Sequence, residues 1–168
     1  CCHNTFHDAV VSGKTICGPV IASAIEKALK MGESNACMKR IVAAPTAGAC
    51  GVVPAVYLTL QEQRQIDDER MLEAMYIASG VGGVIANRAF LAGAAGGCQA
   101  EIGSASSMAA AGAVYLAGGD TEAIIHAAAM AMKNLLGLAC DPVAGLVEVP
   151  CVKRNVVGAV NALSAADA

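Results

Sequence analysis

The segment from Ile102 to Gly119 constrains the fold most, because its 18 residues carry no charge and consist mainly of Ala, Gly and Ser. A charge-free run of this length is long enough to span a bilayer. Its small residues are only weakly apolar, however, and charged or imidazole side chains follow where a span would have to remain apolar: Asp120, Glu122, His126 and Lys133. We therefore set a membrane protein aside and predict a helix buried inside a protein core.

The composition agrees with closely packed helices. Of the 168 residues, 56% are hydrophobic but only 3% are aromatic, so the apolar content lies mostly in small and aliphatic side chains. Such side chains let helix axes approach closely. Charged residues make up 15% of the chain, well below the roughly 25% of an average soluble domain, which predicts that a partner chain or a missing segment covers part of the surface. The net charge of −3 and the lack of a basic run argue against a nucleic-acid-binding surface.

Apolar residues recur with helical spacing almost throughout the chain. We predict helices over 19–31, 51–65, 69–90, 99–117 and 121–136, with a last one beginning near Pro150. Gly32 is expected to stop the first helix, and Gly80, Gly82 and Gly83 imply very close backbone contact or a break in the third. The predicted fold is all-α: one domain, 1–168, of about five to six small-residue-rich helices, with 1–17 poorly ordered. The chain starts without Met and stops inside a predicted helix, so we expect it to be part of a longer one.

The chain contains eight cysteines. Its ample apolar residues and the lack of a visible secretion signal favour a reducing compartment over a disulfide framework. Cys17, Cys37 and Cys50 stand among small residues and are interpreted as packing thiols. Three others are expected at helix ends or in loops: Cys98, Cys140 and Cys151. A helix N-terminus lowers the pKa of a thiol, and the thiolate is the form that binds metal. Spacing alone leaves two interpretations open, a shared metal site and buried structural thiols.

Three motifs carry a family resemblance. They are IVAAPTAGACG at 41–51, GCQAEIG at 97–103 and MKNLLGLACDPVAGLVEVPC at 132–151, and the run Lys153-Arg154-Asn155 follows the third closely. From about Gly32 to its end, the chain resembles the alpha chain of the iron–sulfur-dependent L-serine dehydratases. Two features depart from that family. Lys39 stands where Gly is frequent, and the C-terminal segment whose last cysteine caps the open iron is expected to be missing.

The resemblance implies an oxygen-sensitive [4Fe-4S] cluster as cofactor, held by the thiolates of Cys98, Cys140 and Cys151. It also implies a cytoplasmic lyase of amino-acid catabolism and gluconeogenesis that converts L-serine to pyruvate and ammonia. A companion beta chain or beta domain is implied as partner, in a homo- or hetero-oligomer, so we expect this chain to be inactive alone. Because three thiolates leave one iron with an open position, that iron is expected to act as a Lewis acid on the serine hydroxyl.

Substrate binding also requires a place for the serine carboxylate. The loop with Thr46, Ala47 and Gly48 leads into a predicted helix, so its backbone amides are candidates for that carboxylate. The alternative is that the glycines of this loop only make the turn.

Charged residues next to the cysteines are further candidates. Lys153, Arg154 and Asn155 are expected to hold either the substrate carboxylate or the negative charge of the cluster, and surface cations are the alternative. Glu101 follows Cys98 by one helical turn. Its carboxylate is expected to pair with the substrate ammonium, with Lys153 or with its own helix N-terminus. We assign no general base.

Two further predictions concern histidines. At the start of the chain His3 and His7 are spaced for one helix face, with Cys1 and Cys2 nearby as further metal ligands, and a frayed chain end is the alternative. His126 is predicted to lie in the core. For the chain as a whole, the alternative to an enzyme is a non-catalytic helical scaffold subunit whose cysteines only pack.

Overall fold

A computed structural model of the chain describes residues 2–146 and 148–168. Within them the fold is all-α, as predicted, and the one β feature is an isolated bridge between Val143 and Leu146. The helices are α1 (Cys2–Val11), α2 (Pro19–Ala36), α3 (Val52–Arg64), α4 (Asp68–Arg88), α5 (Gly93–Gly96), α6 (Cys98–Ala117), α7 (Thr121–Lys133) and α8 (Glu148–Asp167), with a 3₁₀ turn at Ala47–Ala49. The described residues thus form more helices than the five to six expected.

Helix α6 is the centre of the bundle. Every residue from Ile102 to Val114 is buried, because α3, α4, α7 and α8 pack around it. Two of its three buried serines donate to backbone carbonyls of neighbouring helices: Ser106 Oγ to Gly158 O at 2.9 Å, and Ser107 Oγ to Ala128 O at 2.8 Å. The third, Ser104, donates to Ala100 O within α6. The charge-free segment is therefore a core helix, and no helix among the described residues is long and apolar enough to cross a membrane.

Small residues mark the points where helices meet most closely, as the composition predicts. A Cβ on Gly158 of α8 would lie 2.7 Å from Ile102 of α6, and one on Gly103 would lie 3.0 Å from the sulfur of Met132 on α7. At Gly112 a Cβ would overlap the hydroxyl of Tyr57. A larger side chain at any of these positions would require its neighbours to shift.

The glycines of α4 follow the prediction only in part. The helix is unbroken from Asp68 to Arg88, and a Cβ on Gly82 would lie 2.9 Å from the sulfur of Met108. A Cβ on Gly80 or Gly83 would have no atom of the described residues within 4 Å. The expected close contact is therefore correct for Gly82 and wrong for Gly80 and Gly83, which face outwards.

The C-terminal end of α2 also differs from the prediction. It continues through Gly32 to Ala36, so the expected stop at Gly32 is wrong. A Cβ there would lie 3.1 Å from Val152 Cα, which shows that Gly32 is a close contact with α8 and not a terminator. Helix α7 ends at Lys133, three residues earlier than predicted.

Burial also corrects three predictions about single side chains. Cys50 is buried, but Cys17 and Cys37 are exposed and so are not packing thiols. Cys17 lies in the connection before α2, and Cys37 directly follows α2 as its C-cap. His126 is exposed on α7, because that helix turns only one side towards α6.

Candidate functional site

The three cysteines singled out by the sequence line one cavity of about 700 Å³. Cys98 begins α6, Cys140 lies in the loop after α7, and Cys151 lies in the first turn of α8. No three His, Cys, Asp or Glu side chains of the described residues are arranged around a single metal ion. A cluster makes a different demand, because each cysteine binds its own iron and the sulfurs surround the inorganic core. What the structure shows is that the three thiols line one shared cavity.

Gly97 determines how the Cys140 loop meets Cys98. Its backbone has φ 76° and ψ −178°, a conformation essentially restricted to glycine. A Cβ on Gly97 would lie 3.1 Å from Leu138 O. Directly beside this contact, Gln99 N–H donates to Leu138 O at 2.8 Å, and Gly137 N–H donates to Gln99 Oε1 at 2.8 Å. The N-terminus of α6 thus holds the chain just before Cys140.

Arg154 lies one turn after Cys151 on α8 and reaches both other cysteine segments. Its Nη1 donates to Cys98 Sγ at 2.7 Å and to Ala139 O at 2.8 Å. Its Nη2 forms an ion pair with Asp141 Oδ1 at 2.6 Å. The guanidinium therefore contacts the sulfur of Cys98 and both chain neighbours of Cys140.

The pKa values of two of these thiols differ from the expectation. Burial raises the pKa of Cys98, while the hydrogen bond from Arg154 acts in the opposite direction. Burial also raises the pKa of Cys151, and the nearby Cys98 and Glu101 add to that effect. The expected lowering by a helix N-terminus is thus wrong for both, because desolvation of the thiolate outweighs it. A metal ion that binds such a thiol favours its deprotonated form.

Asn155 joins the 46–51 loop to α8. Its Oδ1 accepts from Gly51 N–H at 2.7 Å, and its Nδ2 donates to Gly48 O and to Cys151 O, each at 2.8 Å. The side chain is 1% exposed. Because these bonds use both amide protons and the oxygen, the geometry gives Asn155 a positioning role for this loop.

Thr46 and Gly48 line the cavity, whereas Ala47 is exposed and is not among its lining residues. The hydroxyl of Thr46 is buried and has no hydrogen-bond partner among the described residues. A buried hydroxyl without a partner costs about 1–3 kcal/mol, so this atom is suited to a ligand that enters the cavity.

Glu101 extends into the cavity from the first turn of α6. A Cβ on Gly48 would lie 2.7 Å from its Oε2, and one on Gly93 would lie 2.6 Å from the same atom. The carboxylate therefore occupies space that only glycine at both positions leaves free. Within the described part of the chain it has no hydrogen bond or ion pair, so it neither caps α6 nor pairs with Lys153.

Lys153 is not part of this site. It is exposed and lines a separate cavity of about 420 Å³ on the side of α8 that faces α1, together with Cys2 and Phe6. Adjacent residues of a helix point about 100° apart, so Lys153 and Arg154 face different surroundings.

The N-terminal histidines contact a carboxylate. His7 Nδ1 lies 2.7 Å from Glu26 Oε1, and His3 Nε2 lies 3.8 Å from the same atom. Cys2 is exposed, and Cys1 lies outside the described residues.

Two cavity residues were not anticipated from the sequence. Glu148 lines the cavity from the start of α8, one turn before Cys151. Placing the start of that helix at Glu148, and not at Pro150, would have indicated it. Asn35 also lines the cavity and donates to Ala47 O at 2.9 Å. The predicted end of α2 before Asn35 concealed that residue.

Comparison with known proteins agrees with these motifs. A profile of the family described as serine dehydratase alpha chain matches residues 4–168.

The chain is 54% identical over 156 residues to the probable L-serine dehydratase alpha chain of Bacillus subtilis (strain 168), covering 93% of this chain and 52% of that one. It is 53% identical to the probable alpha chain of Latilactobacillus sakei, covering 88% and 71% respectively. It is 47% identical to the L-serine dehydratase alpha chain of Peptoniphilus asaccharolyticus, covering 93% and 53%. The chain spans about half the length of the first and third of these relatives. It belongs to the serine dehydratase alpha chain family.

Proposed function

We propose that this chain carries the iron–sulfur site of an L-serine dehydratase, an ammonia-lyase that converts L-serine to pyruvate and ammonia. The observation that carries the proposal is the shared cavity of Cys98, Cys140 and Cys151 in a chain of this family. Relatives from several bacteria are named L-serine dehydratase, which supports the same reaction.

The donor set fits a [4Fe-4S] cluster. Three thiols from separate segments of the chain are the soft ligands that iron–sulfur clusters take. When bound through three cysteines, such a cluster supplies an iron with an open position, a Lewis acid for the substrate hydroxyl. Arg154 places a positive charge at Cys98 Sγ, which offsets the negative charge of the thiolates.

Glu101 is the residue we assign to the substrate ammonium. Its carboxylate lies in the cavity one turn from Cys98, and the described residues leave it without a counter-charge. The buried hydroxyl of Thr46, at the start of the 3₁₀ turn, supplies a second polar contact in the cavity. Together the two groups orient a small amino acid in the cavity.

The substrate carboxylate requires a further partner. Among the described residues that line the cavity there is no Lys, Arg or His, and Arg154 is already engaged with Cys98 and Asp141. We therefore propose that a companion beta chain or beta domain supplies this contact and that the present chain is inactive alone. The cytoplasm, a reducing compartment, suits a protein with accessible free thiols.

Anaerobic reconstitution tests the cluster directly. The chain is incubated with iron and sulfide, and bound iron, bound sulfide and visible absorption are measured. We expect about four of each per chain, and loss of the cluster in Cys98→Ala, Cys140→Ala and Cys151→Ala. Cys37→Ala is the matched control, because Cys37 is exposed and does not line the cavity. A Cys98→Ala chain with a full cluster would contradict the ligand assignment, and a colourless wild-type chain would favour the scaffold alternative.

Glu101→Gln tests the substrate site in the complete enzyme with its beta part. Loss of one charged hydrogen bond is expected to lower kcat/KM for L-serine by about 10- to 100-fold, mainly through KM, with cluster content unchanged. Glu122→Gln removes the same charge from the exposed first turn of α7 and serves as the control. Equal effects of the two substitutions would show that Glu101 does not contact the substrate.

A further inference from the structure

The loop that carries Cys140 has few attachments to the rest of the protein. Its residues from Ala139 to Leu146 are exposed, and its regular feature is a pair of hydrogen bonds within the loop, between Val143 and Leu146. Before Cys140, Gln99 holds the chain through Gly137 and Leu138. Around Cys140 itself, the described polar contacts to the helices are those of Arg154 with Ala139 O and Asp141.

We infer that Arg154 is a positioning residue that fastens the Cys140 loop against Cys98 and so assembles the three cysteine segments before metal binds. One planar guanidinium donates to a sulfur, a carbonyl and a carboxylate on two different segments. Arg154 lies on α8 three residues after Cys151, so these contacts also connect the segment that carries Cys151 to the other two cysteine segments.

Arginine suits this task for a geometric reason. It presents five N–H donors in a rigid plane, whereas the lysine ammonium is a point charge on a flexible stem. The contact between Arg154 and the Cys140 loop is observed in the structure. Its purpose, which is to keep Cys140 ready for a cluster, rests on the proposed function.

Amide hydrogen exchange in the reduced, metal-free full chain tests the inference, with single amides resolved by NMR. The reporters are the N–H groups of Gln99 and Gly137, which are bonded across the junction between the loop and α6. In Arg154→Met we expect both to exchange at least about tenfold faster, because the loop then lifts off more often. The N–H of Ala109, deep in α6, should exchange as in the wild type, which separates this local effect from a general loss of stability.

Lys153→Met is the matched control. It removes the same charge from the neighbouring position, which lines the separate cavity near α1 and not the cavity of Cys98, Cys140 and Cys151. We expect wild-type exchange in this variant and an intermediate rate in Arg154→Lys. Equal exchange in Arg154→Met and Lys153→Met would overturn the inference, and full recovery by Arg154→Lys would show that charge alone suffices.

Reconstitution with iron and sulfide then connects the loop to the cluster. We expect Arg154→Met to assemble the cluster several-fold more slowly than Lys153→Met. Equal assembly rates would overturn the assigned purpose while leaving the loop contact intact. Failure of the wild-type chain to bind a cluster would refute the proposed function and would not alter the exchange result.

Discussion

The substitution Gly97→Ala tests whether the contact of Gly97 with the Cys140 loop stabilises the junction between α6 and that loop. Gly97 lies directly before Cys98, and its φ of 76° with ψ of −178° is strained for any residue with a Cβ. That Cβ would lie 3.1 Å from Leu138 O and 3.4 Å from Ala139 Cα. Both neighbours are backbone atoms, so they cannot rotate away as a side chain can.

The expected cost follows from two contributions. Backbone strain in this region costs about 1–3 kcal/mol. Relief of the contact moves the loop outwards and weakens the hydrogen bond from Gln99 N–H to Leu138 O, worth about 1 kcal/mol. We expect Gly97→Ala to lower the free energy of unfolding by about 2–4 kcal/mol, a large part of the stability of a domain of this size.

Urea unfolding of the metal-free chain, followed by circular dichroism, measures this cost. Gly118→Ala is the control, because Gly118 also has a positive φ, of 91°, but none of the residues that the structure describes lies within 4 Å of its Cβ position. Left-handed strain alone should cost that variant about 1–2 kcal/mol. Cluster content after reconstitution should fall in Gly97→Ala and remain normal in Gly118→Ala.

If Gly97→Ala is no more destabilising than Gly118→Ala and binds a full cluster, the loop does not depend on the contact at Gly97.

Three other predictions concern stability. Gly83→Ala should raise the free energy of unfolding by about 0.5–1 kcal/mol, because it lies inside α4 with open space around its Cβ; destabilisation in urea would contradict this. Asn155→Ala should cost about 2–4 kcal/mol, since it leaves Gly51 N–H and Gly48 O without their partner, and an unchanged urea midpoint would show that water replaces the amide. Burial raises the pKa of Cys50 from 9.0 to about 11. Between these two values the unfolded thiol has lost a proton that the native thiol keeps, so the reduced, metal-free chain should lose stability as pH rises through this range. Cys50→Ala should lose less, and an identical pH dependence in both would disprove the assignment.

Local sequence information was sufficient for most of the secondary structure. Helices α3, α4 and α6 lie within one or two residues of their predicted bounds. The signals that set these bounds act over only a few residues. They are the spacing of apolar residues, Asp67 as the N-cap of α4 and Gly118 at the end of α6. The burial of α6 was also predictable, because Ala, Gly and Ser tolerate close neighbours on every side.

Glycine shows the limit of local reasoning. Local helix signals predict that Gly32 stops a helix and that Gly80 and Gly83 mark close contact or a break, yet Gly32 is a contact with α8 and the other two face outwards. Propensity gives the cost of a glycine in a helix, but only the packed neighbours determine whether a contact offsets that cost.

The amino-acid sequence by itself determined an all-α fold, the family motifs and the three cysteines worth examining. Tertiary structure decided that they share a cavity, that Arg154 and not Lys153 contacts Cys98 and the Cys140 loop, and that burial raises the pKa of Cys98 and Cys151. These properties arise from contacts between α6, α8 and the Cys140 loop, which are distant in the chain. Hydrogen bonding and desolvation depend on which atoms meet in space, and that is set by how the helices pack together.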